Sequence, residues 1–342
     1  MQRIWQDRRE QWKALSIRKV ANFFGLWLSY HLSRLTRRPL HWGGPFSLSI
    51  EPTTTCNLGC PECPSGLRQF TRATGRLSKE TLDNLLSDTS KTLGNIIFYF
   101  QGEPYLHPQF TDLVKTASDR GIYTTTSTNA HFLTEEKARQ TVESGLSRLI
   151  VSIDGTTQET YEQYRVRGSL EKVLKGTRNI LKAREEMGSS TPHVIFQFLV
   201  VKPNEHQIDD VHNLAAELGV DEVRLKTAQV YDYENGNPLI PDDTKYSRYR
   251  QQKDGTWTIK NKLLNQCWRM WQGCVITWDG KVVPCCFDKD ATHQLGDTAE
   301  DGFHSIWNGP AYHDFRQSIL RSRDQIDICT NCTEGTRVWA EE

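Results

Sequence analysis

Nine cysteines fall into three groups: Cys56, Cys60 and Cys63; Cys267, Cys274, Cys285 and Cys286; Cys329 and Cys332. The first group lies in EPTTTCNLGCPECPSG, residues 51–66. Grouped thiols at short spacing read as a disulfide framework, a metal site or redox groups, depending on the compartment. The chain opens MQRIWQDRREQWK, which is charged and unlike an export signal. Metal or redox chemistry in a cytoplasmic protein is therefore expected over disulfides. Three close thiolates with no fourth nearby leave structural zinc one ligand short. A [4Fe–4S] cube on three cysteines keeps one iron open to a further ligand. On spacing alone, zinc, an iron–sulfur cluster and chance grouping all stay open.

The elements that must position these thiols show in the periodicity. Short β-branched or aromatic runs at 46–51, 96–100, 121–127, 148–153, 194–201 and 222–227 predict strands. Helical patterns occupy 78–93, 109–120, 134–144, 169–187 and 205–218, with Thr134 and Ser169 as N-caps and Gly219 as a C-cap. Such alternation implies right-handed crossovers and a parallel sheet, either open and doubly wound or an incomplete barrel. Ligands then gather at the C-terminal strand ends. The cysteine loop follows the first strand, Gln101-Gly102-Glu103-Pro104 the second, Ser127 and Asn129 end the third, and Ser152 to Gly155 end the fourth. All four polar clusters thus fall at the same end.

The flanks differ. Residues 1–38 read as basic helix, with nine Lys/Arg against Asp7 and Glu10, a net of +7. Their apolar stretch, 20–35, is too short to span a bilayer. It is expected to pack on the main domain or to lie on an anionic membrane surface. Beyond residue 228 the alternation stops, and 229–262 reads as a polar linker. VITW and KVVP, joined by Asp279-Gly280, predict a hairpin with a two-residue type I′ turn. The expected division is 1–44, 45–228, 229–262 and 263–342. Lysine plus arginine and aspartate plus glutamate both count 42, so no global charge points to nucleic acid.

With these motifs in order, residues 46–228 resemble the radical S-adenosylmethionine (SAM) superfamily. Its hallmark is a CxxxCxxC loop after the first strand of a partial barrel. The resemblance implies an α/β fold, a partial (β/α)6 TIM-type barrel, with Cys56, Cys60 and Cys63 holding the catalytic [4Fe–4S] cluster that binds SAM. Gln101, Gly102, Glu103 and Pro104 stand where the family has GGEP, which contacts the SAM amino group. Ser127 and Asn129 match a ribose-contacting motif. Ser152 and Arg165 match the Ser and Arg that help hold SAM, with Arg167 the second choice. Two departures are Glu62, where the family has an aromatic residue, and Gln101 for glycine.

The C-terminal region resembles the SPASM/twitch extensions of these enzymes. That implies one auxiliary [4Fe–4S] cluster on Cys267, Cys285, Cys329 and Cys332. Cys286 is the runner-up for Cys285. Cys274 is a buried small hydrophobe or an unusual ligand, and a zinc ribbon is the alternative for the whole group. Trp268, Trp271, Trp278 and Trp307 are expected in the core, Asp154 in a turn, and His107 as a cap. Tyr231, Asp232, Tyr233 and Glu234 are expected to line the substrate mouth or to belong to the linker.

The implied activity is an oxidoreductase that cleaves SAM to a 5′-deoxyadenosyl radical and takes hydrogen from a small molecule such as a sugar or aminocyclitol. The auxiliary cluster would accept the substrate electron, and a flavodoxin- or ferredoxin-type protein would donate to the first. Peptide-modifying relatives often carry a leader-binding domain ahead of the barrel, where this chain shows basic helix. The alternatives are a maturase acting on a ribosomal peptide or protein, and a non-catalytic metal-binding module.

Overall fold

A computed structural model describes residues 2–333. Six strands, β1 (Ser47–Ile50), β2 (Asn95–Ile97), β3 (Tyr123–Thr128), β4 (Arg148–Ser152), β5 (His193–Val200) and β6 (Glu222–Thr227), pair in parallel and in chain order. Helices Lys79–Thr89, Phe110–Ser118, Glu135–Glu143, Leu170–Glu186 and Ile208–Leu218 return the chain between strands or follow β5. The fold is α/β, a partial (β/α)6 barrel with a cysteine-rich C-terminal extension. Thr134 and Ser169 accept hydrogen bonds from the amides of Lys137 and Lys172, and Gly219 closes its helix at a φ of 76°. The helix Gln158–Tyr164, absent from the sequence reading, is capped by Thr157.

Strand alternation sorts the side chains. Leu48, Ile50, Ile96, Phe98, Leu149, Val151, Val194, Phe196 and Phe198 are fully buried in one core. Their neighbours, including Ser49, Ile97, Tyr99, Ser127, Ser152, Gln197 and Lys226, face the lumen.

The C-terminal extension is built onto this sheet. After the β7 (Tyr249–Gln251) and β8 (Trp257–Ile259) hairpin, which occupies the expected linker, come β9 (Gly273–Ile276), β10 (Lys281–Val283) and β11 (Gly296–Asp297). β9 pairs parallel with β1 and covers its outer edge, giving the order β11-β10-β9-β1 through β6. The β9–β10 hairpin forms as expected, but its turn is different. Thr277 N–H donates to the Lys281 carbonyl at 2.9 Å, Gly280 N–H donates to the Thr277 carbonyl at 3.0 Å, and only Gly280 takes a positive φ, 89°. A three-residue loop replaces the type I′ turn, because Asp279 avoids the left-handed region that such a turn demands of both central residues.

Helices α1 (Gln2–Lys13) and α2 (Ile17–Thr36) pack against the domain. The Asp7 carboxylate accepts hydrogen bonds from the Tyr123 hydroxyl and Arg148, at the starts of β3 and β4. Lys19 Nζ donates to the Gly121 carbonyl at 2.7 Å. α1 therefore closes the barrel at the end opposite the cysteine loop. α2 sets Phe23 edge-on to Phe46, 5.1 Å between centroids, and Tyr30 edge-on to Trp271 at 5.3 Å. Among the described residues no helix is long and apolar enough to cross a membrane.

Candidate active site

Cys56, Cys60 and Cys63 converge on the loop after β1, packed against Leu58, Tyr164, Val201, Ala228 and Val230. None of the nine cysteines is in a disulfide. Burial first, then the neighbouring carboxylate of Glu103 and the other two thiols, pushes Cys56 up to about 12, while an amide hydrogen bond pulls the other way. Ionising three thiols in so dry a pocket needs a strong compensating cation. Among the described residues no trio of His, Cys, Asp and Glu closes to the spacing of a single metal ion. Three thiols on one loop leave zinc one ligand short and suit an iron–sulfur cube with one iron left open.

Of the residues expected to hold SAM, Gln101, Gly102, Glu103, Asn129 and Arg165 touch this loop, whereas Ser127 and Ser152 touch each other on the adjoining strands. The Gln101 side-chain carbonyl accepts from Ser65 Oγ at 3.1 Å and lies 3.9 Å from Cys63 Sγ. Gly102 N–H donates to the same Ser65 hydroxyl at 2.9 Å. Its φ is 75°, and a Cβ there would stand 2.1 Å from the Thr53 carbonyl oxygen, so only glycine fits. Glu103 is 2% exposed; it accepts from Thr128 Oγ1 at 2.6 Å, Asn129 N–H at 2.8 Å and Tyr105 N–H at 3.2 Å. Burial nonetheless raises its carboxyl above the ordinary range against those three bonds. Pro104 opens a single turn of 3₁₀ helix. Asn129 Nδ2 donates to Asn57 Oδ1 inside the cysteine loop at 2.8 Å. Ser127 and Ser152 meet across β3 and β4, their hydroxyls 3.4 Å apart.

Arg165 leaves the end of the helix Gln158–Tyr164 and turns inward. Its Nη1 lies 3.8 Å from Cys60 Sγ, and its Nε is held by the fully buried Asp154. Asp154 also accepts from Leu199 N–H at 2.8 Å. It therefore positions Arg165 and does not shape a local turn as expected, a role that local reading missed because the partner is eleven residues away. Arg167 takes a φ of 67° and sets its guanidinium against Gly59, leaving Arg165 at the thiol. Ser65, Asn57 and Thr128 were also missed; as small polar residues in loops they carry no signal beyond ordinary turn formers. His107 does cap and pack, with Nε2 2.9 Å from the Leu77 carbonyl.

In the second group, Cys285 feels the thiols of Cys267 and Cys332, and Cys329 feels that of Cys267. Arg323 donates to Cys332 Sγ at 3.2 Å and is coupled electrostatically to Cys267 and Cys329. Three of these thiols gather around Arg323 and Cys285 adjoins two of them, a donor set that fits a second cube. Cys286, next to Cys285, turns away to pack with Phe100, Val275 and Val283 and couples to Tyr99. Cys274 lies in the apolar core against Tyr312. Trp271 and Trp307 are fully buried, as expected for core, but Trp268 and Trp278 are only half-buried, Trp278 donating its indole N–H to the Ala73 carbonyl at the surface. Tyr231 N–H donates to Glu62 Oε2 at 2.9 Å, and its ring sits 4.8 Å from Lys289 Nζ. Tyr233 stacks on Tyr249 at 4.5 Å, while Asp232 and Glu234 are exposed.

Comparison with known proteins accords with this geometry. The family described as the radical SAM superfamily matches residues 50–221, and the SPASM iron–sulfur cluster-binding domain matches residues 267–333. A tungsten-containing aldehyde ferredoxin oxidoreductase cofactor-modifying protein of Pyrococcus furiosus is 26% identical over 316 residues, spanning 84% of this chain and 86% of that protein. A PqqA peptide cyclase of Gluconobacter oxydans is 27% identical over 320 residues, spanning 86% and 84%. The crystal structure of Streptococcus suis SuiB bound to S-adenosylmethionine superposes with a TM-score of 0.64 over 90% of this chain and 76% of that one. Its 13% identity makes that a likeness of fold.

Proposed function

The chain belongs to the radical SAM superfamily and carries a SPASM domain, and from that premise we propose that it is an oxidoreductase that removes hydrogen from a small organic molecule such as a sugar or aminocyclitol. The observation that carries this reading is the path of residues 285–290. Cys285 belongs to the second cysteine set, and Cys286 couples to Tyr99 in the lumen. Lys289 lies within electrostatic reach of both Cys286 and Cys63. Asp290 ties the segment down by accepting from Thr71 N–H at 2.9 Å. One short segment thus connects both cysteine sets across one lumen.

A [4Fe–4S] cluster with SAM supplies a hydrogen-abstracting radical when bound, and a second cluster supplies an electron acceptor. The chain's own residues do the rest. Cys56, Cys60 and Cys63 would hold the first cluster, and Cys267, Cys285, Cys329 and Cys332 the second. Gln101, Gly102, Glu103, Pro104, Ser127, Asn129, Ser152 and Arg165 would orient SAM. Tyr231 and Lys289 narrow the mouth. α1 closes the far end of the barrel, away from the mouth.

A second reading, modification of a peptide, is favoured by the similarity to the peptide cyclase along most of both chains. One experiment separates the two. The protein is reconstituted without oxygen, reduced with dithionite and given SAM with extract from cells grown in deuterated medium. The extract is first split into an ultrafiltrate of small metabolites and a retained peptide fraction. Deuterium in 5′-deoxyadenosine driven by the ultrafiltrate supports the small-molecule reading. Transfer driven only by the retained fraction overturns it in favour of the peptide. The Cys56→Ala/Cys60→Ala/Cys63→Ala variant should release no 5′-deoxyadenosine in either case.

A further inference from the structure

α2 is amphipathic the wrong way round for a helix that only packs. Its inner face, Lys19, Leu26, Ser29, Tyr30 and Ser33, is buried against the domain and is partly polar. Its outer face carries Ile17 (92% exposed), Val20, Phe24 (62%), Trp27, Leu28 and Leu35 (80%). At 3.6 residues per turn these six fall within about 100° of arc, a continuous apolar stripe along the helix. α1 adds Trp5 and Trp12, two turns apart and 66% and 73% exposed. Among the described residues fifteen large hydrophobics are exposed, and ten of them lie between Ile4 and Trp42. Scattered exposed apolar side chains need no explanation, but a concentrated stripe marks an interaction surface.

The surrounding charge selects the occupant. Arg8, Arg9, Lys13 and Arg18 are exposed on the same two helices, and Arg37 and Arg38 just past the end of α2. A second copy docked stripe to stripe would bring these cations together. An anionic bilayer would neutralise them, and Trp and Arg are the side chains that favour the lipid headgroup region. We propose that α1 and α2 form an in-plane membrane-docking face that holds the enzyme on anionic lipid. The inference is independent of the substrate. Because Asp7 ties α1 to the starts of β3 and β4, this face lies at the opposite end of the barrel from the mouth. The docked enzyme presents its mouth to the aqueous side, so lipid is an anchor and not the route by which substrate enters.

The test is sedimentation of the full-length, cluster-loaded protein with vesicles. Vesicles of equal parts phosphatidylcholine and phosphatidylglycerol should carry the protein down. Pure phosphatidylcholine should bind about tenfold more weakly, and raised salt should weaken the anionic binding. Brominated lipids should quench tryptophan fluorescence. Trp12→Ser/Phe24→Ser/Leu35→Ser should lose vesicle binding about tenfold while keeping its melting temperature and SAM cleavage. Arg8→Ser/Arg9→Ser/Arg18→Ser should lose only the preference for anionic lipid. Failure of the wild type to bind either vesicle overturns the proposal. So does a wild-type dimer in solution that the Trp12→Ser/Phe24→Ser/Leu35→Ser variant converts to monomer, since the stripe would then be a subunit interface.

Discussion

Replacing Asp154 by alanine tests how Arg165 is held beside the cysteine loop. Asp154 is fully buried, and the Arg165 side chain is 17% exposed. The substitution leaves a largely buried guanidinium without its counter-charge, and it orphans the Leu199 N–H. Breaking a buried pair from one side costs about 3–5 kcal/mol, and an orphaned buried amide about 1–3 kcal/mol. The two overlap in one cavity, so a loss of about 4 kcal/mol is expected, close to a thousandfold in the unfolding equilibrium. Removing both charges with Asp154→Ala/Arg165→Ala abolishes the unpaired cation and keeps only the amide defect. The double variant should therefore be less destabilised than the sum of the single ones, by at least about 2 kcal/mol. Urea unfolding followed by circular dichroism measures all four proteins, and 5′-deoxyadenosine release reports whether Arg165 still serves the site. Additivity within about 0.5 kcal/mol would refute the coupling, and with it the view that Asp154 positions Arg165.

Three further outcomes are expected. Burial first, then the Arg316 charge, against a hydrogen bond to the Trp271 carbonyl, lowers His41 to about 3. Unfolded chain then binds a proton that folded chain does not, so this contribution to stability is present above about pH 6.5 and is lost as pH falls toward 3. Between pH 7 and pH 5 the loss is about 2 kcal/mol, and His41→Phe should flatten that slope in urea titrations. Gly102→Ala forces a left-handed alanine, at about 1–2 kcal/mol, and drives a methyl into the Thr53 carbonyl. It should yield protein depleted of the first cluster by iron analysis. Cys285→Ala should lose roughly four irons, whereas Cys274→Ala and Cys286→Ala keep the full complement; equal loss in all three would overturn the assigned ligand set.

The features legible in the amino-acid order are those whose physics is local. The spacing of Cys56, Cys60 and Cys63 makes a three-thiol loop wherever the chain folds. Thr134, Ser169 and Gly219 cap helices through bonds or backbone angles within four residues. Placing polar motifs after successive strands needs only alternation and the handedness of crossovers. That suffices for the barrel, the cysteine loop and the place of Glu103, Asn129 and Ser152 at one end of the strands. What escaped depends on direction and on distant partners. Neighbouring Cys285 and Cys286 have the same local sequence, yet opposite surroundings divide them between the second thiol set and the lumen. Arg165 faces the cluster loop because Asp154 holds it, while Arg167 is turned off by a left-handed backbone. β9 joins β1 across more than two hundred residues, so the extension that reads as a separate unit completes the sheet. The periodicity of α2 reveals apolar side chains but not which of them look outward. Only packing decided that its small and polar face lies against the domain and its largest apolar side chains face the surroundings.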